Sequence, residues 1–435
     1  ATVRCCTQNG VRGGSATVHF PIWHQEIEDI LVLKNNKGTE DNRVRKLDYS
    51  IQISKLFYER FIKNADITLF SPNHVPGLYE AFGLPEFDSL YLKYEKDKSI
   101  PKETIGAQEL FQALLKERAE TGRIYIMNLD HCNTHSSFKD KVYMSNLCQE
   151  ITLPTTPVQH IDDKEGEIAL CILSAINLGL LTDMNELEEL CDLSVRALDE
   201  IIDYQEYPVE AAKISAQSRR SLGIGYIGLA HYLAKNQVKY EDKKAWKLVD
   251  KITEAFQFYL LKSSNNLAKE KSKCLWFEKT KYSDGILPID TYKKELDEIV
   301  KRDYTYDWEW LRKEIKEHGL RHSTLSAQMP SESSSVVSNA TNGVEPPRDY
   351  LSVKKSKKGP LKQIVPDYNR LKNYYTLLWD MKGNEGYINI VAVMQKYFDQ
   401  AISGNWSYNP ENYKDGEVPL SVMAQDLLTT YKLGW

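Results

Sequence analysis

Asn146, Cys148 and Glu150 stand at alternate positions of the run MSNLCQEITLP, and together they could do chemistry on a bound substrate. In an extended segment, alternate residues point to the same side, so an amide, a thiol and a carboxylate would share one face. Such groups are unfavourable in a core unless something uses them. Cys171 follows 171 − 148 = 23 residues later in GEIALCILSAINLG. We therefore predict an active-site face on an extended 146–150 segment, over the plainer interpretation of a strand edge with one packed cysteine.

A serine-rich run, PSESSS at positions 330–335, follows a β-prone segment. Its hydroxyls and backbone N–H groups could bind a phosphate at the start of a helix. Ser-rich turns are common, so the run is informative only beside the thiol and carboxylate motif. The combination predicts a phosphorylated polyol substrate that is altered by thiol chemistry.

Two further motifs resemble ligand sites but have the wrong surroundings. Gly223, Gly225 and Gly228 have the G-x-G-x-x-G spacing of dinucleotide sites, yet the preceding AKISAQSRR is polar and basic where a buried strand is required. We predict instead that these glycines allow close contacts where a helix begins. The DHCNTH run at 130–135 lacks the second ligand pair of a zinc site, so we predict a hydrogen-bonded loop and no metal.

The composition is that of a soluble globular protein, with 435 residues, 42% hydrophobic and 27% charged residues, and a net charge of -5. A slightly acidic chain of this kind lacks the excess of basic residues that is typical of proteins that bind duplex nucleic acid. The longest apolar stretch, 168–181, is interrupted by polar residues and is too short to cross a membrane. Seven cysteines are too sparse for a secreted disulfide framework, so we expect a reducing, cytoplasmic location.

Strand and helix patterns alternate along the chain. DITLF (66–70) and GRIYIMNL (122–129) have the pattern of buried strands, and TIGAQELFQALLKERAETG between them predicts an amphipathic helix closed by Gly122. Further strands are predicted at 168–174 and 323–330. The alternation favours a mainly parallel α/β fold.

Several longer motifs carry a resemblance to a known family. They are NLCQE with the cysteine of ALCILSAINLG, and the runs CTQNGVRGG, NHVPGLY, TGRIYIMNLDHCN and PSESSSVVSNATNGVEPPR. They occur in the family's order and spacing, and from end to end of the chain they resemble the catalytic large (alpha) subunit of class I, aerobic ribonucleoside-diphosphate reductases of bacteria and phages. The resemblance implies an α/β fold of the ten-stranded barrel type found in ribonucleotide reductases.

The resemblance also implies thiyl-radical reduction of ribonucleoside diphosphates to deoxyribonucleoside diphosphates. Cys148 matches the cysteine that carries the transient radical and removes the 3′ hydrogen of the ribose. Glu150 matches the carboxylate that takes the 3′ hydroxyl proton, and Asn146 matches the amide that holds the substrate hydroxyls. Cys171 matches one of two cysteines that deliver electrons and end as a disulfide. The loop that binds the substrate diphosphate is matched by Pro330, Ser331, Glu332, Ser333 and Ser334.

Near the start, Cys6 to Gly14 matches a mobile loop between the allosteric specificity site and the active site, in which Gln8 and Arg12 sense the substrate base. Glycines let such a loop change shape at small cost, so dNTP or ATP effectors can shift substrate preference. The resemblance further implies a large-subunit homodimer, a metal-containing small (beta) subunit that supplies the radical, and a dithiol reductant of the thioredoxin or glutaredoxin type. We expect no cofactor bound by this chain itself.

The match to the family is incomplete at both ends. In the family, the partner of Cys171 lies upstream of the mobile loop, and an activity domain precedes it. The relay tyrosines and the C-terminal shuttle cysteines come after the last residue of this chain, so Tyr431 does not match a relay tyrosine. We expect residues 1–435 to be a partial catalytic barrel domain that lacks its N-terminal strands and needs an upstream polypeptide.

Two other interpretations remain open from the sequence. A catalytically silent, nucleotide-binding fragment would have the same fold without turnover. A cysteine hydrolase would use Cys148 with His131 or His135 as its base. The hydrolase predicts a lowered thiol pKa and labelling by thiol-directed electrophiles, whereas a radical cysteine requires neither.

Overall fold

The computed structural model describes residues 2–8, 10, 12–356 and 359–435. Its strands are β1 (Thr7–Gln8), β2 (Arg12–Gly13), β3 (Thr17–Pro21), β4 (Asp48–Ile53), β5 (Asp66–Leu69), β6 (Glu103–Gly106), β7 (Ile124–Asn128), β8 (Ile172–Asn177), β9 (Leu222–Ile227), β10 (Leu351–Ser356) and β11 (Gly359–Ile364). Its helices are α1 (Thr2–Cys5), α2 (Ile27–Leu31), α3 (Lys55–Ile62), α4 (Leu78–Ala81), α5 (Phe87–Lys96), α6 (Ala107–Thr121), α7 (Leu129–Thr134), α8 (Asn185–Tyr204), α9 (Glu210–Arg219), α10 (Leu229–Lys235), α11 (Lys243–Glu270), α12 (Pro288–Thr291), α13 (Trp308–His318), α14 (Glu332–Val337), α15 (Tyr368–Leu371), α16 (Glu385–Gln395) and α17 (Leu420–Lys432).

The chain divides into two compact units. The first unit comprises Ala1–Thr134, Val142–Thr152 and Pro419–Tyr431. The second unit comprises His135–Lys141, Leu153–Val418 and Lys432–Trp435. Among the described residues, no helix is both long enough and apolar enough to span a membrane.

The first unit is built on a parallel three-stranded sheet with the order β3-β4-β7. Tyr49, Ile51 and Ile53 of β4 lie on one face of this sheet and are buried. The opposite face carries polar side chains at every second position of β4 and at the first and third positions of β3. The predicted parallel α/β class is confirmed in this sheet, whereas β5 and β6 pair in antiparallel orientation.

Helix α6 ends where it was predicted to end but begins at Ala107, because residues 104–106 of the predicted run belong to β6. Its buried residues Leu110, Phe111 and Leu114 have the spacing of one helical face. Gly122 follows the helix at φ +63°, a left-handed conformation that glycine adopts without steric penalty. Its N–H donates to the carbonyl oxygen of Arg118 at 2.8 Å. The prediction of an amphipathic helix closed by this glycine is confirmed.

The second unit contains the parallel pair of strands β8 and β9. Isolated β-bridges add further extended segments beside β9. Ser326 bridges Ile224 of β9, and Gln328 bridges Ile402, both in parallel orientation. The strand predicted at 323–330 is therefore extended chain with isolated bridges and no continuous ladder. The long helices α8 and α11 pack against each other and contribute to the apolar core of this unit.

The glycine motif of this unit supports backbone packing. Gly225 lies inside β9, where an added Cβ would be 2.6 Å from the carbonyl oxygen of Ala327. Gly228 has φ +75° and immediately precedes α10. A dinucleotide fingerprint begins after a strand, so glycines within the strand do not fit it. The close contact predicted at a helix start is confirmed at Gly228, where an added Cβ would meet Asn177, but the close contact of Gly225 lies inside a strand, where none was predicted.

A buried network of charged and polar groups ties several elements of the second unit together. Asp199 accepts hydrogen bonds from Arg220 at 2.7 Å and from His322 Nε2 at 3.1 Å, and His322 Nδ1 lies 2.9 Å from Ser264 Oγ. Burial alone would raise the pKa of Asp199, but the hydrogen bond from His322 and the neighbouring arginines outweigh burial and lower it. Burial lowers the pKa of His322 to about 4, so the imidazole is neutral at pH 7.

We predict that stability falls as the pH drops from about 6.5 to about 4, because the unfolded chain protonates His322 and the folded chain does not. His322→Gln should be less stable at pH 7 but should show a shallower loss over this window. Urea unfolding at several pH values measures both effects. His318→Gln, at an exposed position, serves as the control. An unchanged pH slope in His322→Gln would contradict the prediction.

Candidate active site

Residues 146–151 form a closed turn in place of the predicted extended strand. The Asn146 N–H donates to the Ile151 carbonyl oxygen at 3.2 Å, and Asn146 Oδ1 accepts from the Ile151 N–H at 3.1 Å. Gln149 has φ +76°, in the left-handed region. An asparagine side chain that satisfies nearby backbone groups competes with strand pairing. The prediction of an extended segment is therefore wrong.

The turn nevertheless brings Asn146 and Glu150 together. Glu150 is only 4% exposed. Burial raises the pKa of its carboxyl group, while its own backbone N–H and the Asn146 side chain oppose that rise by hydrogen bonding. Within the described part of the chain, Glu150 Oε2 has no hydrogen-bond partner. A buried carboxylate with one unpartnered oxygen is suited to accept a proton from a ligand.

Cys148 lies between these two residues in the turn and is partly exposed. The pKa of Arg123 is raised, mainly by its hydrogen bond with Tyr125, and the charge of an ionised Cys148 adds to the rise. Burial raises the pKa of Tyr125, and Cys148 again contributes. The thiol therefore lies within electrostatic reach of Arg123 and Tyr125, near the start of β7.

Sequence reasoning did not single out the residues that hold this turn. Thr17 and His19 of β3, with Ser50 and Gln52 of β4, form what we call the polar sheet face, and their side chains hydrogen-bond within residues 143–149. The available signal was the alternation of polar and apolar residues in TVHFP and DYSIQI. This alternation predicts that one face of the sheet is polar, but it does not predict which segment of the chain hydrogen-bonds to that face.

In the second unit, the serine-rich run lies at a helix start. The short helix α14 begins at Glu332, as the run suggested. Ser331 is buried, and its hydroxyl donates to the Met329 carbonyl oxygen at 3.2 Å. Ser333 and Ser334 are exposed at the first turn of the helix, where backbone N–H groups lack partners within the helix.

Cys171 lies apart from this run. It immediately precedes β8, and β8 runs parallel to β9, which in turn bridges Ser326 in parallel. Pro330 follows the last bridged residue of that segment, Gln328. The partly exposed thiol and the serine run therefore lie at opposite ends of these parallel strands, and the structure does not bring them together.

The candidate allosteric loop folds as a small hairpin. β1 pairs with β2 in antiparallel orientation, with Gln8 opposite Arg12, and Gly10 has φ +68° between them. Cys6 is exposed. The side chains of Gln8 and Arg12 lie outside the described part of the structure, so their predicted role in sensing the substrate base stays a prediction.

The DHCNTH run forms the short helix α7 and its end, where a loop was predicted. Burial raises the pKa of Cys132 to about 12, which favours a packing role for this thiol. His131 stacks on Tyr431, with ring centroids 4.3 Å apart. In the second unit, His135 Nε2 donates to the Gln395 carbonyl oxygen at 2.6 Å, and Nδ1 lies 2.8 Å from the Thr291 hydroxyl. Because both ring nitrogens of His135 are engaged, it does not suit the role of a hydrolase base.

Comparison with known proteins places the chain in a family. Residues 1–435 match the family model of the ribonucleotide reductase barrel domain. The chain is 59% identical over 437 residues to the ribonucleoside-diphosphate reductase subunit alpha of Haemophilus influenzae, covering 99% of this chain and 58% of that protein. It is 58% identical to subunit alpha of reductase 1 from Escherichia coli, covering 99% of this chain and 57% of the relative. It is 45% identical to subunit alpha from Enterobacteria phage T4, covering 100% of this chain and 57% of the relative.

The chain belongs to the ribonucleotide reductase family and has the α/β class of its barrel domain. The family resemblance inferred from the motifs is confirmed. The chain spans about 58% of the length of the Haemophilus influenzae relative.

We predict that Glu150→Gln stabilises the protein near pH 8. Because burial raises the pKa of Glu150 above 4.5, its contribution to stability falls as the pH rises through the raised value. A neutral amide removes that loss, with a gain of about 1 kcal/mol in the free energy of unfolding near pH 8 and none near pH 4.

Glu167→Gln provides the matched control for this measurement. Glu167 is also buried, but Arg219 and Ser215 both donate hydrogen bonds to it. Breaking such a buried pair should lower the free energy of unfolding by about 3 kcal/mol. Urea unfolding near pH 4 and pH 8 measures both variants. A loss of stability in Glu150→Gln near pH 8 would show that its carboxylate is better satisfied than the structure indicates.

Proposed function

We propose that this chain carries the catalytic part of a ribonucleoside-diphosphate reductase alpha subunit, which reduces ribonucleoside diphosphates to deoxyribonucleoside diphosphates. The observation that carries the proposal is the closed turn in which Cys148 is flanked by the hydrogen-bonded pair Asn146 and Glu150. The sequence supports the proposal, because the chain is 59% identical to an alpha subunit over 437 residues.

Within this proposal, the three residues of the turn divide the chemistry at one ribose. Cys148, as a thiyl radical, takes the 3′ hydrogen atom and becomes a thiol. Glu150 accepts the 3′ hydroxyl proton, for which its buried and partly unsatisfied carboxylate is suited. Asn146 hydrogen-bonds to the substrate hydroxyls and limits the rise in the Glu150 pKa.

Reduction of the ribose also requires electrons and a site for the diphosphate. Replacing the 2′ hydroxyl with hydrogen consumes two electrons and releases water, and two thiols that close to a disulfide supply those electrons. We assign one of these thiols to Cys171. We assign the diphosphate to Pro330, Ser331, Glu332, Ser333 and Ser334, where α14 begins. The separation of the thiol from this run is consistent with contacts to different parts of the nucleotide.

The proposed partners follow from the alpha-subunit relatives. We propose that a metal-containing beta subunit supplies the radical, that a dithiol of the thioredoxin or glutaredoxin type reopens the disulfide, and that the alpha subunit forms a homodimer. Nucleoside triphosphate effectors would act through the hairpin that contains Cys6, Gln8 and Arg12. Because the chain spans 58% of its relative, we propose that activity requires further alpha-subunit segments, among them an upstream piece with the thiol partner of Cys171.

The test is a chimera in which this chain replaces the matched 437 residues of the Haemophilus influenzae alpha subunit. With a beta subunit, a dithiol and effectors, we expect the chimera to reduce nucleoside diphosphates. Cys148→Ser should lower turnover by at least about a hundredfold while nucleotide binding stays nearly unchanged, because the variant removes only the reacting group. Cys191→Ser is the matched control, since Cys191 is buried in α8 and donates to the Phe256 carbonyl oxygen.

Three outcomes of this experiment would count against parts of the proposal. Appreciable turnover by Cys148→Ser would contradict the radical-site assignment. A chimera that binds nucleoside diphosphates without reducing them would favour the silent nucleotide-binding fragment. Robust turnover by the isolated chain with a beta subunit would contradict the need for an upstream piece.

A further inference from the structure

Three regularly spaced hydrogen bonds hold the segment that leads into the turn of residues 146–151 against the polar sheet face. Thr17 Oγ1 donates to the Leu147 carbonyl oxygen at 2.9 Å. His19 Nε2 donates to the Ser145 carbonyl oxygen at 3.1 Å. The contacted carbonyl groups are two residues apart, as are the two strand residues, so the spacing of the strand matches that of the segment above it.

A third contact from the next strand continues this pattern. Gln52 Nε2 donates to the Tyr143 carbonyl oxygen at 2.6 Å. In the register of the sheet, Gln52 stands beside Pro21, two residues beyond His19. Successive positions along the sheet therefore bind carbonyl groups at 147, 145 and 143, and the segment crosses the polar sheet face antiparallel to the strands.

A fourth contact reaches the turn itself. Ser50 Oγ donates to the Gln149 side-chain carbonyl oxygen at 3.0 Å. Ser50 stands beside His19 of β3 on one side and Tyr125 of β7 on the other. The polar sheet face thus contacts Leu147 and Gln149, the residues on either side of Cys148. Tyr125, which stands beside Ser50, lies within electrostatic reach of the thiol.

We infer that Thr17, His19, Ser50 and Gln52 are positioning residues that fix the Cys148 turn for the reaction. The inference rests on the proposed function and extends it to residues that do not touch the substrate. Side chains replace the backbone ladder that would otherwise hold such a segment, and they satisfy carbonyl groups that need partners. Small displacements of a reacting group reduce rates steeply, so the register of these contacts determines where the thiol is presented.

His19 is chemically suited to a fixed role of this kind. Its Nε2 must carry the hydrogen that is donated to Ser145, which leaves Nδ1 as an acceptor. His19 Nδ1 is buried and has no hydrogen-bond partner within the described residues. Burial lowers the pKa of His19 to about 4, so the ring stays neutral at pH 7 and keeps one tautomer.

Paired substitutions in the chimera separate hydrogen bonding from packing. His19→Leu and Thr17→Val keep approximate volume but remove the donors, whereas His19→Gln and Thr17→Ser keep a donor near the same place. We expect kcat to fall about tenfold to a hundredfold in the first pair, with KM changed less than about threefold, because the substrate contacts remain. The second pair should recover most of the loss.

Hydrogen exchange provides a readout that does not depend on activity. Peptides covering residues 143–151 should exchange faster in His19→Leu and Thr17→Val than in the wild-type chimera, His19→Gln or Thr17→Ser. Peptides from α6 should be unchanged. Equal exchange at 143–151 in all five proteins overturns the inference, as does faster exchange with unchanged kcat.

The two proposals fail in distinguishable ways. If the wild-type chimera does not reduce nucleoside diphosphates, the proposed function is wrong, and the exchange rates alone decide whether the polar sheet face holds the turn. If the wild-type chimera is active and none of the variants alters kcat, the proposed function stands and the positioning role is rejected.

Discussion

The burial of the Glu150 carboxyl group is the constraint on which the first unit depends. One oxygen of a buried carboxylate can be left without a partner only if the surroundings cannot rearrange to satisfy it or to expose it. Asn146 limits such rearrangement, because its side chain closes the turn through the Ile151 N–H and also hydrogen-bonds to Glu150. The polar sheet face then fixes the turn, and the register of β3, β4 and β7 fixes the polar sheet face. The position of the Glu150 carboxyl group is thus linked to the pairing of three strands.

Two buried carboxylates of the second unit are paired with arginine side chains. Asp199 is surrounded by Arg220 and His322, and Glu167 by Arg219, so these buried carboxylates are partnered and contribute to the framework. Glu150 differs from these two carboxylates in having one oxygen without a hydrogen-bond partner among the described residues. In the same unit, the parallel strands carry Cys171 at one end and the serine run at the other.

The parts of the structure that depend on local pattern could be predicted from the sequence. Helix α6 and its glycine end follow from apolar spacing and from the left-handed conformation that Gly122 permits. The turn at 146–151 could not, because a spacing of two residues also fits a strand, and the closure depends on one asparagine side chain. The polar sheet face was visible as alternation, but its hydrogen-bond partners lie between 91 and 130 residues away in sequence. The roles of the site residues came from the family resemblance, since spacing alone indicated only thiol chemistry.

The most direct test of the account is a crystal structure of the chimera with a bound nucleoside diphosphate and effector, in which distances from the ribose to the turn are measured. We predict that the 3′ hydroxyl lies about 3 Å from a Glu150 carboxylate oxygen and within hydrogen-bonding distance of Asn146, with the Cys148 sulfur facing the 3′ carbon. A nucleotide bound with its ribose away from residues 146–150, while the diphosphate occupies the Pro330–Ser334 run, would contradict the central claim.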